Sequence, residues 1–97
     1  MTTTDHRKNA ETHIEQLVSA LEGFPAFPER DALLSECRSL ALAIRAFHME
    51  GIRFRMYNVD RMLGKSEGTL PASVVAEFRG ARESLEAAGF HTRSHQS

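Results

Sequence analysis

Histidines, one cysteine and a run of arginines are the side chains here with types suited to chemistry, and their spacing decides what they could do. His48 sits near the middle of a long apolar run. Leu33, Cys37, Leu40, Ala41, Ile44 and Phe47 precede it, and Ile52, Met56, Val59, Met62 and Leu63 follow. On one continuous helix it would lie on the apolar side. In an antiparallel dimer it would then approach its symmetry mate, building a metal- or small-ligand-binding bundle, or a charge switch near neutral pH. The chain has no Glu-x-x-His pair of the kind that di-iron bundles use, and Glu50 cannot face the same way on a helix. A lone histidine among apolar neighbours is better read as a hydrogen-bonded core residue.

His91 and His95 stand four apart, a spacing at which two imidazoles on a helix can share a metal ion. They follow Gly89 in the polar tail HTRSHQS, so a solvated tail is the better reading. His6 and His13, two helical turns apart, earn no stronger claim. No metal site and no cofactor is expected. Cys37 falls on the apolar stripe between Leu33 and Leu40. A reactive thiolate needs an electropositive, partly exposed setting, so an inert buried thiol is expected.

One segment departs from the chain's even charge. Residues 1–50 carry five basic and eight acidic side chains, whereas 51–97 carry seven and five. Arg53, Tyr57, Arg61 and Lys65 recur every four residues within GIRFRMYNVDRMLGK, so they line one slowly drifting helix face. Cations interleaved with an aromatic could meet phosphates and stack on bases, or grip an acidic protein. Against a nucleic-acid role stands a pI of about 6.5. An ordinary solvated face, with Arg55 and Arg61 serving Asp60 and Glu67, is the preferred reading. Glu11, Glu15, Glu22 and Glu29 form an acidic counterpart, read likewise as a wet face. The later GKSEG segment is a turn, because a phosphate-binding loop would need glycine where Val59 stands.

The elements that must position these residues are helices. Asp5 can cap a first helix at about 5–22, with Ala10, Ile14, Leu17, Val18 and Leu21 in one stripe and Gly23 as a left-handed stop. The connector GFPAFP follows, where Phe24 and Phe27 are expected to plug a helix corner. No proline interrupts the chain from Pro28 to Gly64, so one long helix at about 29–63 is predicted, bending if anywhere at Gly51. A third helix spans about 71–88, with Val74, Val75, Phe78, Ala81 and Leu85 inward and Gly89 as its stop. Residues 90–97 form a polar tail. No stretch alternates as a strand would. The expectation is a single all-α domain over 1–97, three helices in short–long–short order.

Such a middle helix would be about 50 Å long, where a globular chain of this size is about 30 Å across. Leu40 to Ile44 are consecutive apolar residues that point all round the axis, and Leu42 and Met49 form a second row continuing near Ile52 and Met56. A helix apolar on two sides is buried on two sides. The sequence therefore predicts a homodimer through Leu42, Met49, Ile52 and Met56, with the bundle completed by the partner copy. The competing arrangement is a sharp break at Gly51 that yields a compact four-segment monomer.

Length and composition fit that picture. Ninety-seven residues make one domain, 41% are hydrophobic and 26% charged, and the net charge is −1. A core this small is marginal without a partner, and a single cysteine forms no internal disulfide. A lone thiol suits a reducing cytoplasm, and no apolar stretch nears the roughly 20 residues of a membrane span. The function expected is that of a non-enzymatic cytoplasmic interaction or regulatory protein acting as a homodimer. Nucleic-acid binding through Arg53, Tyr57, Arg61 and Lys65 is one alternative, and a ligand-binding bundle around His48 is the other.

Overall fold

The Asp5 carboxylate accepts the Lys8 N–H at 2.9 Å and so starts helix α1, His6–Glu22. A computed structural model describes residues 5–24, 29–65 and 70–89, and these form four helices with no strand among them. After α1 come α2 (Arg30–Ala46), α3 (Met49–Lys65) and α4 (Ala72–Ala87). The first and last helices lie within a residue of their expected ends. Gly89 adopts φ +88° as an α4 stop should, whereas Gly23 stays right-handed at φ −84°. There α1 ends instead in a tight right-handed turn, the Phe24 N–H donating to the Leu21 carbonyl at 3.1 Å. Phe24 is half-buried, while Phe27 and Pro28 lie outside the described residues.

The expected long helix is two helices, and the break is not at Gly51. Phe47 takes the left-handed conformation, φ 51° and ψ 44°. Its N–H donates to the Ile44 carbonyl and the His48 N–H to the Ala43 carbonyl, each at 3.0 Å. That hydrogen-bond pair is the Schellman arrangement, which normally places glycine where Phe47 stands. His48 then opens α3. Its Nδ1 accepts the Gly51 N–H at 3.0 Å and its carbonyl accepts the Ile52 N–H at 2.8 Å. Gly51 lies inside the first turn of α3, where a Cβ would sit 3.0 Å from His48 Nδ1 and 3.4 Å from Ala43 Cβ. Its small size lets the two helices approach at the corner.

A left-handed non-glycine residue costs about 1–2 kcal/mol. Phe47→Gly should therefore be more stable than Phe47→Ala by about 1 kcal/mol, reversing the order that holds inside a helix. Both variants lose the ring, so their difference isolates the backbone. Urea unfolding followed by circular dichroism reads it, and equal stabilities would contradict the left-handed cap.

Folding back at Phe47 removes the half-covered helix. The four helices share one core, with α1 packed against both α4 and α2, and α2 against α3. α3 and α4 are linked by the Asp60–Arg82 ion pair, 3.3 Å apart. The radius of gyration is 12.8 Å, against about 12.5 Å expected of a globular monomer this long. Ile14, Leu17 and Leu21 of α1 meet Leu33, Leu40 and Ile44 of α2, Ile52, Met56 and Val59 of α3, and Val74 and Leu85 of α4, all fully buried. Each such aliphatic side chain contributes about 1.5–3 kcal/mol on burial. Val75, expected inward, is 40% exposed. It follows Val74 by about 100° around the helix, and Val74 holds the core-facing position.

Candidate interaction surface

Ion pairs on the helix flanks determine which charged side chains remain on the surface. Glu11 of α1 is buried, and its Oε2 accepts the Arg45 Nε–H at 2.7 Å. Arg45 also approaches Glu15 at 3.6 Å, and its backbone carbonyl accepts from Arg7 at 3.2 Å. The hydrogen bond to Glu11, together with that residue's charge, raises the Arg45 pKa above its ordinary value. Two helical turns before Arg45, Arg38 meets Glu22 at 2.6 Å. Arginines of α2 meet the acidic row on α1 within the chain, burying Glu11 while Glu15 and Glu22 stay exposed to solvent. Glu29 remains exposed.

The other flanks follow the same rule. Arg55 donates to Glu36 at 2.7 Å and Asn58 to the same carboxylate at 3.4 Å, tying α3 to α2. Arg55 thus serves Glu36, and Asp60 is served by Arg82, which also lies 5.0 Å from the Phe78 ring centre. Glu67, the other partner expected, lies outside the described residues. Between α1 and α4, His13 Nδ1 is 2.8 Å from Glu77 Oε1. The Gln16 amide, oriented by its partners, donates to both Glu77 oxygens at 3.0 Å. Sequence reasoning missed this cluster, since nothing local links residues 64 apart. A signal was available in Gly80, a glycine in mid-helix with no turn to explain it.

The candidate histidines and cysteine separate cleanly. His48 is exposed in the corner between α2 and α3, with Nδ1 engaged in capping. It is not on an apolar helix side, so the geometry on which a site shared across a long-helix dimer depends is not present. His91 and His95 lie outside the described residues. Among the described residues, no three metal-binding side chains converge. Cys37 is fully buried, and its burial, aided by the Glu36 charge, pushes its thiol up to about 12. At neutral pH it stays protonated and is a poor nucleophile.

Of the four residues expected at a dimer seam, Ile52 and Met56 are fully buried in the chain's own core. Leu42 and Met49 are 61% and 49% exposed, and they now belong to different helices. Leu42 borders a shallow groove of about 300 Å³ between α1 and α2, where Val18 and Ala41 are flanked by Arg38, Glu15 and Arg45. A second open groove of about 320 Å³ separates α2 from α3, lined by Ala32, Ser35, Glu36, Asn58, Arg61 and Met62.

The third surface is the side of α3 opposite its buried residues. With Ile52, Met56, Val59 and Leu63 inward, a period of 3.6 residues turns Phe54, Tyr57, Arg61 and Lys65 outward and sets Arg53 on the flank. Phe54 is 58% exposed there, one turn from Tyr57 at 37%, and Arg61 is half-buried where it borders the α2–α3 groove. Arg53 is paired with Glu50 at 3.1 Å. Comparison of the chain with models of known protein families, with curated proteins and with solved structures returns no match. No helix among the described residues is long and apolar enough to cross a membrane.

Proposed function

We propose that this is a non-enzymatic helical interaction protein that self-associates as a homodimer and acts, in a regulatory role in the cytoplasm, through its helix surfaces. The observation that carries the reading is the exposure of large apolar side chains on a chain that has already built a core: Leu42 at 61%, Met49 at 49% and Phe54 at 58%. Apolar side chains that the core leaves in water are the ones a second surface gains most by covering. Supporting it, the charged side chains at the flanks serve inter-helix pairs, and the two grooves are open and shallow, unlike the enclosed pockets in which catalysis excludes water. The lone thiol, Cys37, is compatible with a reducing compartment.

Self-association is carried in this proposal by Leu42 and Met49. Light scattering on a sizing column should give a mass near twice 10.9 kDa. In Leu42→Glu/Met49→Glu the mass should return to that of one chain with helical content unchanged, because both positions are exposed. A monomeric wild type at high micromolar concentration would overturn the homodimer.

A further inference from the structure

The outward face of α3 has a composition that selects its partner. It combines three cations, Arg53, Arg61 and Lys65, with two exposed aromatic rings, Phe54 and Tyr57, and its one carboxylate is Glu50 at the helix start. The flanking cations Arg55 and Arg82 are met by Glu36 and Asp60, and the Arg55 guanidinium also lies 5.2 Å from the Phe54 ring centre at the edge of this face. Arginine and aromatic residues are also the types enriched at the centres of protein interfaces.

Three occupants compete for such a face. A second copy laid along it would oppose Arg53, Arg61 and Lys65 with the same residues, and like charges brought together across an interface are unfavourable. A nucleic acid would find the cations and rings, but the chain carries a net charge of −1 and lacks the broad basic field that gathers a polyanion. An acidic amphipathic helix satisfies both halves of the face. Its carboxylates, repeating every four residues, match the row Arg53, Tyr57, Arg61 and Lys65, while its apolar side covers Phe54. We infer that the outward face of α3 docks an acidic amphipathic helix of another protein. This deepens the interaction-protein reading and rests on it, but it uses a face distinct from Leu42, so the two can fail separately.

The test is fluorescence anisotropy with three labelled probes. The first is an 18-residue helical peptide with glutamates at every fourth position beside a leucine stripe, the second is its lysine-for-glutamate counterpart, and the third is a twelve-residue oligothymidylate. The acidic peptide should bind with a Kd below about 100 μM, corresponding to about −5.5 kcal/mol. Its affinity should fall at least tenfold in Arg61→Glu and in Phe54→Ala, and it should weaken as salt rises. Circular dichroism and the light-scattering mass of each variant confirm that the fold and any dimer persist. No saturable binding of the acidic peptide would overturn the inference. Equal binding of the lysine peptide, unchanged affinity in both variants, or tighter binding of the oligothymidylate would do so as well. The last outcome would assign the face to nucleic acid. A monomeric wild type that still binds the acidic peptide would overturn the homodimer and leave this inference standing.

Discussion

Met56→Ala should destabilise the protein by about 2–5 kcal/mol, the usual loss when a buried methionine is cut back to alanine. The loss should be the same at low and at high protein concentration, because Met56 is fully buried among residues of its own chain. Leu42→Ala should change the stability of a single chain by no more than about 0.5 kcal/mol, since its side chain is mostly in water. On a continuous helix the two residues would belong to the same dimer seam. A seam mutation weakens association, so its apparent cost depends on protein concentration. Urea unfolding of both variants at two concentrations a hundredfold apart separates the cases. A concentration-dependent loss in Met56→Ala would contradict the fold-back at Phe47, as would a Leu42→Ala loss of equal size at the lower concentration, where the chain is a monomer.

The helix ends that were legible in the sequence are those marked by residues with strong backbone preferences. Asp5 accepts an N–H as an N-cap should, and Gly89 takes the positive φ that follows a helix. The break between α2 and α3 has no such marker. Its left-handed position is filled by Phe47, although that conformation favours glycine, and its cap is His48 instead of serine, threonine or aspartate. Gly51, the residue whose type suggested a bend, is needed for a different reason: the close approach of His48 and Ala43. Local preference was overridden by the gain from folding α3 back onto α2. That fold-back also accounts for four of the five consecutive apolar residues from Leu40 to Ile44. Leu40 and Ile44 face the core, Ala41 and Ala43 pack at its edge, and Leu42 is left outside.

The candidate site was legible to a similar degree. The periodic residues Arg53, Tyr57, Arg61 and Lys65 all fall within α3, where the helical period holds. Phe54 escaped notice because it lies one residue off the four-residue repeat, and only the placement of Ile52, Met56 and Val59 inward fixes it as outward. The pairings Glu11–Arg45, Glu36–Arg55 and Asp60–Arg82 join different helices and cannot be read from spacing along one of them.

The second large effect should appear where α1 crosses α4. A Cβ added at Gly80 would stand 2.7 Å from His13 Cε1 and 2.9 Å from its Nε2, closer than real contacts allow. Inside a helix, glycine to alanine normally stabilises by about 1 kcal/mol. Here the imidazole must move, and it is held by the Glu77 carboxylate at 2.8 Å. Displacing it forfeits a hydrogen bond to a charged group, worth about 1.5–3 kcal/mol. Gly80→Ala is therefore expected to be net destabilising by about 1–2 kcal/mol, against its intrinsic preference. The sign should reverse in a His13→Ala background, where the space is vacated and only the helix preference remains, a gain of up to about 1 kcal/mol. The four chains form a double-mutant cycle with a coupling of about 2 kcal/mol. Additive effects would mean that His13 does not lie on Gly80, and the close packing of α1 on α4 would need another cause.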